Sequence, residues 1–489
     1  MNRREVLGGL GIASAQALLW ALGCGGPQLA TTKVSEAVTD RDEVRAWLRE
    51  AVARLRGVFP TVHTLAFERV RSLAASDVLG TGIGYTRRAG VVLTVRDEAG
   101  QWREQVSSEL GKAGVAAAVR ALIGTSKKTA SVDFGPVPRV PEPPQAFTDG
   151  ELRNRVEAIT RKRVDSRVVY GVQLFDVEDS WVFSIAPGHD REQRARRVRQ
   201  SVLRAAWNGS RPVVGSIERG WIGSLVDPRA LGEADAQRAT DSALELMTPA
   251  ACPDGRHPVL LDPSVTASLL DAGTRALLTT AASRRPEVKR GLAIGAIVAS
   301  PLISLIDDPT TRGSYGGFEF DDEGEPAAPL TLIDQGRLAA ILGDRAGGSR
   351  GRGLRPGHVG PVDPGITHLK LMPGASTYET LLDEGFVLEG GLTAIVDPGT
   401  TRVVIAAARA RTVRAGKLTG HVYPDVELIG DLGPLFTSVR GVSAERQRFD
   451  LRDEHEGEPR WRSVEAPWLT ISLGEGVKPG VLRARRRFG

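Results

Sequence analysis

Two acidic clusters stand close together in the chain, Asp307-Asp308 and Asp321-Asp322-Glu323. Paired carboxylates hold a hard cation, or divide acid and base work between them. Asp308-Pro309 and Glu323-Gly324-Glu325-Pro326 also have the composition of turns between strands, where acidic side chains are routine. The turn is the plainer reading. Seven histidines (His63, His189, His257, His358, His368, His421 and His455) are scattered, no two closer than ten residues. The close pairs that set two imidazoles on one metal from a single helix are therefore missing, and each reads as a surface or hydrogen-bonded residue. No Cys-x-x-Cys, GxSxG elbow or Walker-type phosphate loop occurs. Gly80-Thr81-Gly82-Ile83-Gly84 lacks the dinucleotide spacing and reads as a turn before Tyr85. The run Ala346 to Gly353 is a basic, glycine-rich loop suited to peptide carboxylates or to plain mobility.

The two cysteines belong to different arguments. Arg3 and Arg4 precede a weakly apolar run from Leu7 to Gly23, the pattern of a twin-arginine export signal. Ala21-Leu22-Gly23-Cys24 follows the form of a lipobox, which would make Cys24 the lipidated N-terminus, although Ala21 stands where leucine is usual. Export to the cell envelope or periplasm of a bacterium is the expectation, with contact to the membrane only through that N-terminal anchor. Cys252 is then left alone, and a lone thiol reads as a buried small hydrophobe.

Positioning any of these groups falls to elements that the periodicity outlines. Val44, Trp47, Leu48, Ala51, Val52 and Leu55 share one helical face, with Thr39 or Asp40 as N-cap. Strand-like Val91–Val95 and a helix near 107–123 follow. Residues 136–145 carry too many prolines for a helix or a central strand. Beyond them come a helix over 149–163 and a strand or hairpin over 167–185. The six arginines within 189–207 read as a solvated helix face. From 258 onward a helix, Val265 to Ala282, leads into short strands broken by Gly and Asp-Pro. The expected fold is α+β, an N-terminal α/β half with a β-rich C-terminal domain. Its expected segments are a signal (1–24), a tether (25–38), an α/β domain (39–135), a proline-rich linker (136–148), a middle α/β region (149–257) and the β-rich domain (258–489). With 489 residues, two to four domains fit. A net charge of +5 over that length and 5% aromatic residues do not argue for a nucleic-acid partner.

An ordered series of short motifs carries a resemblance. Val298-Ala299-Ser300-Pro301-Leu302, Ile306-Asp307-Asp308-Pro309, Gly313-Ser314-Tyr315-Gly316-Gly317-Phe318 and Asp321-Asp322-Glu323-Gly324 come first. Leu332-Ile333-Asp334-Gln335-Gly336-Arg337-Leu338, Leu342-Gly343-Asp344-Arg345, Leu371-Met372-Pro373-Gly374 and Leu428-Ile429-Gly430 complete it. The series resembles the TldD/TldE (PmbA) family of metallopeptidase-like proteins, strongly over 258–440 and collinearly over 40–257.

In the active TldD-type subunit a helix carries HExxxH after a Leu-Leu pair, and a later cysteine completes the zinc site. Here the pair is Leu269-Leu270, which sets Asp271 and Ala276 at the histidine positions and Ala272 at the glutamate. No cysteine follows Cys252. Zinc, expected in the family, is left without its ligands, so no cofactor is expected. The resemblance implies a non-catalytic, TldE-type member that binds unfolded peptides or acts as a partner subunit, as a homodimer or with a TldD-type chain. The alternative is an active metallopeptidase whose metal site is relocated to His257, His358, His368 or His421.

Overall fold

The computed structural model describes residues 40–472 and 481–484, apart from 78–79, 125–147, 160–164, 210–211, 226, 248–249, 286–287, 289–292, 346, 348, 359, 398 and 456–457. The export signal with Arg3, Arg4 and Cys24, the tether, and the proline-rich stretch lie outside the described residues.

Helix α1 (Arg41–Arg56) starts where Asp40 accepts a hydrogen bond from the Asp42 N–H, and it buries Val44, Leu48, Ala51, Val52 and Leu55 as its periodicity requires. Strands β1 (Thr61–Asp77), β2 (Gly80–Arg96), β3 (Trp102–Ser107), β4 (Val168–Ala186), β5 (His189–Trp207) and β6 (Pro212–Ile222) form one antiparallel sheet in the order β3-β2-β1-β4-β5-β6. Alternation along these strands divides the apolar side chains between two faces. Val62, Ala66, Val91, Leu93, Trp181 and Phe183 pack with α1 and α2 (Lys112–Gly124). Helices α3 (Asp149–Glu157) and α4 (Glu233–Glu245) cover the rest of that face through Leu152, Val156 and Ala239. On the opposite face Leu65, Phe67, Val92 and Val182 meet Phe320 of the C-terminal half. The sheet is thus buried on both sides.

The arginine-rich segment departs from its expected helix: it is strand β5. Pro187-Gly188, with Gly188 at φ +98°, closes a two-residue turn, and Ala186 then faces His189. The register that follows sets Asp176 opposite Arg199, Glu178 opposite Arg197 and Asp179 opposite Arg196. Charge complementarity across a hairpin overrides the helical spacing of its few apolar residues. Gly80–Gly84 likewise opens β2, opposite Leu73–Asp77, and is not a turn.

The C-terminal half is built on a mixed sheet of eleven strands. Helix α5 (Pro263–Leu277) lies on it, N-capped by Asp262, and packs Val265, Leu269 and Leu270 into a core with Leu388, Val403, Ile405, Leu428, Val464 and Leu469. Cys252 is buried in the same core. The fold is α+β, as expected.

Candidate functional site

Asp271, at the position where the resemblance expects the first histidine, is 5% exposed on α5. Arg462 donates to it from Nε at 2.5 Å and Nη2 at 3.1 Å, and Arg275, one turn on, donates to Oδ2 at 2.7 Å. Arg462 also donates to Asp453 at 2.6 Å. Burial opposes the charge on Arg462, but Asp271 and Asp453 outweigh it and hold that guanidinium's pKa above its ordinary value. Ala272 is buried and Ala276 half-buried, and neither offers a donor atom. These residues do not fit a zinc ion. A catalytic zinc takes three protein ligands, and here two guanidinium groups already occupy the single carboxylate.

The histidines do not converge on one site. His63 and His189 share Ser184 Oγ, at 2.9 and 3.0 Å. His257 packs edge-on against Phe386, His368 meets Glu465 at 3.0 Å, and His421 is exposed. Among the described residues, no three His, Cys, Asp or Glu side chains are grouped to hold a metal ion. The side chain of His455 lies outside the description.

The acidic clusters are not solvent-facing turns. Asp307 is fully buried, accepting from Arg352 and from the Thr367 and His368 N–H groups. Asp321 accepts three backbone N–H groups, from Glu323, Glu325 and Gly353, yet burial pushes its carboxyl up to about 7. Asp322 Oδ1 lies 2.6 Å from His358 Nδ1, and its Oδ2 accepts from the Arg355 N–H at 2.7 Å. Burial alone would raise the Asp322 carboxyl. The His358 ring and the Arg355 N–H outweigh that and hold it below the carboxylate range. An ionised carboxylate only accepts, so the hydrogen sits on His358 Nδ1. The basic loop is likewise less free than its composition suggests. Arg350 pairs with Glu325, and Arg352, 1% exposed, bonds Asp307 and the Ala328 carbonyl. The sequence signal for this burial was present in the order of the motifs, but not in any one of them.

A cavity of about 550 Å³ opens between the second face of the N-terminal sheet and the C-terminal half. Ser180, Val182 and Arg197 form its sheet wall, α5 and the segment after it contribute Arg275 and Arg285, and His358, Trp461 and Arg462 close the far side. The two arginines that hold Asp271 and the Asp322–His358 pair therefore border one space. Gly324, at φ +80°, lets the acidic loop come against this sheet: a Cβ there would stand 2.4 Å from Ser184 Oγ.

This architecture defines a TldD/PmbA-type protein. Residues 254–473 match the PmbA/TldA metallopeptidase C-terminal domain. A metalloprotease of Methanocaldococcus jannaschii is 28% identical over 218 residues, 42% of this chain and 48% of that one. A metalloprotease TldD homolog of Haemophilus influenzae is 26% identical over 240 residues, 47% of this chain and 49% of that one. The chain spans about half the length of these two relatives. The crystal structure of TldE from Thermococcus kodakarensis covers 90% of this chain and is itself wholly covered, with a TM-score of 0.65 at 16% identity, which speaks for the fold alone. The chain belongs to the TldD/TldE (PmbA) family.

Proposed function

We propose that this chain is a non-catalytic, TldE-like member of the family that binds peptides or serves as a partner subunit, without zinc-dependent proteolysis of its own. One observation carries the reading: Asp271 stands where a metal ligand is expected and is held by Arg462 and Arg275. Two cations beside one carboxylate oppose a further cation there. Ala272 has no carboxylate to take a proton from water, so the base is missing along with the ligands. The reading extends to location and assembly. The Arg3-Arg4 signal and Cys24 support export with a possible lipid anchor, and the family supports pairing with a second copy or with a TldD-type chain.

The test is metal analysis of the purified mature protein beside a cleavage assay on an unfolded peptide. The reading expects zinc far below one per chain, no cleavage, and binding of the labelled peptide or co-elution with a TldD-type chain. Stoichiometric zinc with chelator-sensitive cleavage would instead establish the relocated-site metallopeptidase.

A further inference from the structure

The cavity wall holds a cation with no bonded carboxylate among the described residues. Arg197 is 5% exposed, and its three nitrogens donate to neutral oxygens: Nε to the Tyr315 carbonyl at 3.1 Å, Nη1 to Ser180 Oγ at 3.0 Å and Nη2 to the Gly317 carbonyl at 3.3 Å. Glu178, its partner across the hairpin, bonds Arg69 instead. A guanidinium has five N–H donors, so two remain. A buried charge satisfied only by neutral groups is costly unless an anion joins it. Four other cations on the wall differ, for Arg275 and Arg462 hold Asp271, Arg460 holds Asp363 and Arg355 holds Glu104.

Beside Arg197 a short stack continues. Its guanidinium carbon lies 4.3 Å from the centre of the Trp461 ring, and the His358 ring centre lies 5.6 Å from that indole. Trp461 Nε1 and His358 Nε2 are both buried and have no hydrogen-bond partner among the described residues. The His358 side chain is 9% exposed. Asp322 fixes its ring through Nδ1, and its backbone is at φ +67°, a conformation that a non-glycine residue adopts only when its surroundings impose it. Three adjacent groups thus present unused polar atoms on one cavity whose volume suits a small ligand.

We propose that this cavity binds a carboxylate group of a peptide, with Arg197 and the Trp461 Nε1–H as its donors and the His358 ring, held by Asp322, packed beside the indole. The choice of a peptide rests on the function proposed above, whereas the anion site rests on Arg197 and Trp461. The carboxylate belongs either to a chain terminus or to an Asp or Glu side chain.

The test is fluorescence anisotropy of the full mature protein with three N-terminally labelled tetra-alanine probes: a free C-terminal acid, the corresponding amide, and an amide carrying one internal glutamate. At least one carboxylate probe is expected to bind about tenfold or more tighter than the plain amide, as charged hydrogen bonds imply, and which one identifies the source. Arg197→Met is expected to remove most of that difference. Trp461→Phe keeps an aromatic face but removes the indole N–H and its second ring, and it lowers the difference severalfold, so the test survives a misfolded Arg197 variant. Equal binding of all three probes overturns the carboxylate site and leaves the peptide reading intact. If no peptide binds while sodium acetate raises the melting temperature of the parent but not of Arg197→Met, the anion site stands and the peptide reading falls. No response to peptide or acetate overturns the site.

Discussion

Arg462 grips Asp271 with two nitrogens at 2.5 and 3.1 Å, from the strand Glu458–Ile471 to helix α5, in a setting where both side chains are less than one-tenth exposed. The geometry makes Asp271 a structural tie between the helix and the sheet beneath it. Removing one member of a buried pair leaves the other's charge uncompensated, which costs more than the pair itself contributes. Asp271→Ala is expected to lower unfolding stability by about 3 kcal/mol. Asp271→Leu combined with Arg462→Met is expected to recover at least about 1 kcal/mol of that loss, because no charge is then stranded. Chemical denaturation of the three proteins measures both quantities. A double variant as unstable as the single one would show that Asp271 acts through something other than this pair.

Arg352 makes a second tie, joining the basic loop to the strand Leu305–Asp307 through Asp307, and it also bonds the Ala328 carbonyl. Both side chains are essentially inaccessible. Arg352→Met is expected to cost about 3–5 kcal/mol. Arg352→Lys is expected to recover little, since an ammonium cannot reproduce the planar fork that reaches a carboxylate and carbonyls together. Urea midpoints of the two variants, compared with Arg350→Met on the exposed neighbour, give the check. Equal midpoints for all three would return the loop to the free state that its composition suggests.

Much of this architecture was readable one element at a time. The face of α1, the helix around Leu269 and the strands at 330–333 and 402–406 follow from period and turn residues, because burial of one face imposes that period. The arginine segment was misread because its apolar residues also fit a helix. The deciding signal was the mirror relation about Pro187-Gly188, in which Asp176, Glu178 and Asp179 meet Arg199, Arg197 and Arg196. That Asp271, Ala272 and Ala276 stand at the motif positions was legible, but the hold of Arg462, 191 residues away, on Asp271 was not. Nor was the pairing of His358 with Asp322, since each is ordinary in its own neighbourhood and only the fold joins them.

His63 supplies a pH dependence with a defined sign. Burial, followed by the nearby Arg345 charge, lowers its pKa well below the ordinary histidine value, so the folded protein keeps it neutral where the unfolded chain takes up a proton. Its contribution to stability is therefore complete above the unfolded pKa of about 6.5 and is lost as the pH falls toward the folded value, by up to about 1.4 kcal/mol per pH unit. His63→Gln keeps a group able to bond Ser184 and does not titrate. Between about pH 7.5 and about pH 5.5 the variant is expected to lose about 1 kcal/mol less stability than the parent. Denaturant titrations at the two pH values make the comparison. Parallel losses would mean that His63 is already charged in the fold.

Cys252 tests whether the core around α5 is closed. The thiol is 4% exposed, and burial, reinforced by Asp254, pushes its pKa up to about 12. Thiolate is the reactive form, so both access and ionisation are withheld. Iodoacetamide at mildly alkaline pH is expected to leave the Cys252 peptide unmodified in the native protein and to label it fully once guanidinium has unfolded the chain. Peptide mass spectrometry separates this site from Cys24, whatever the state of the N-terminus. Because the thiol packs in the core that also holds Leu269 and Leu270, rapid native labelling would mean that the helix carrying Asp271 opens readily, and the Arg462 tie would then be weaker than its geometry implies.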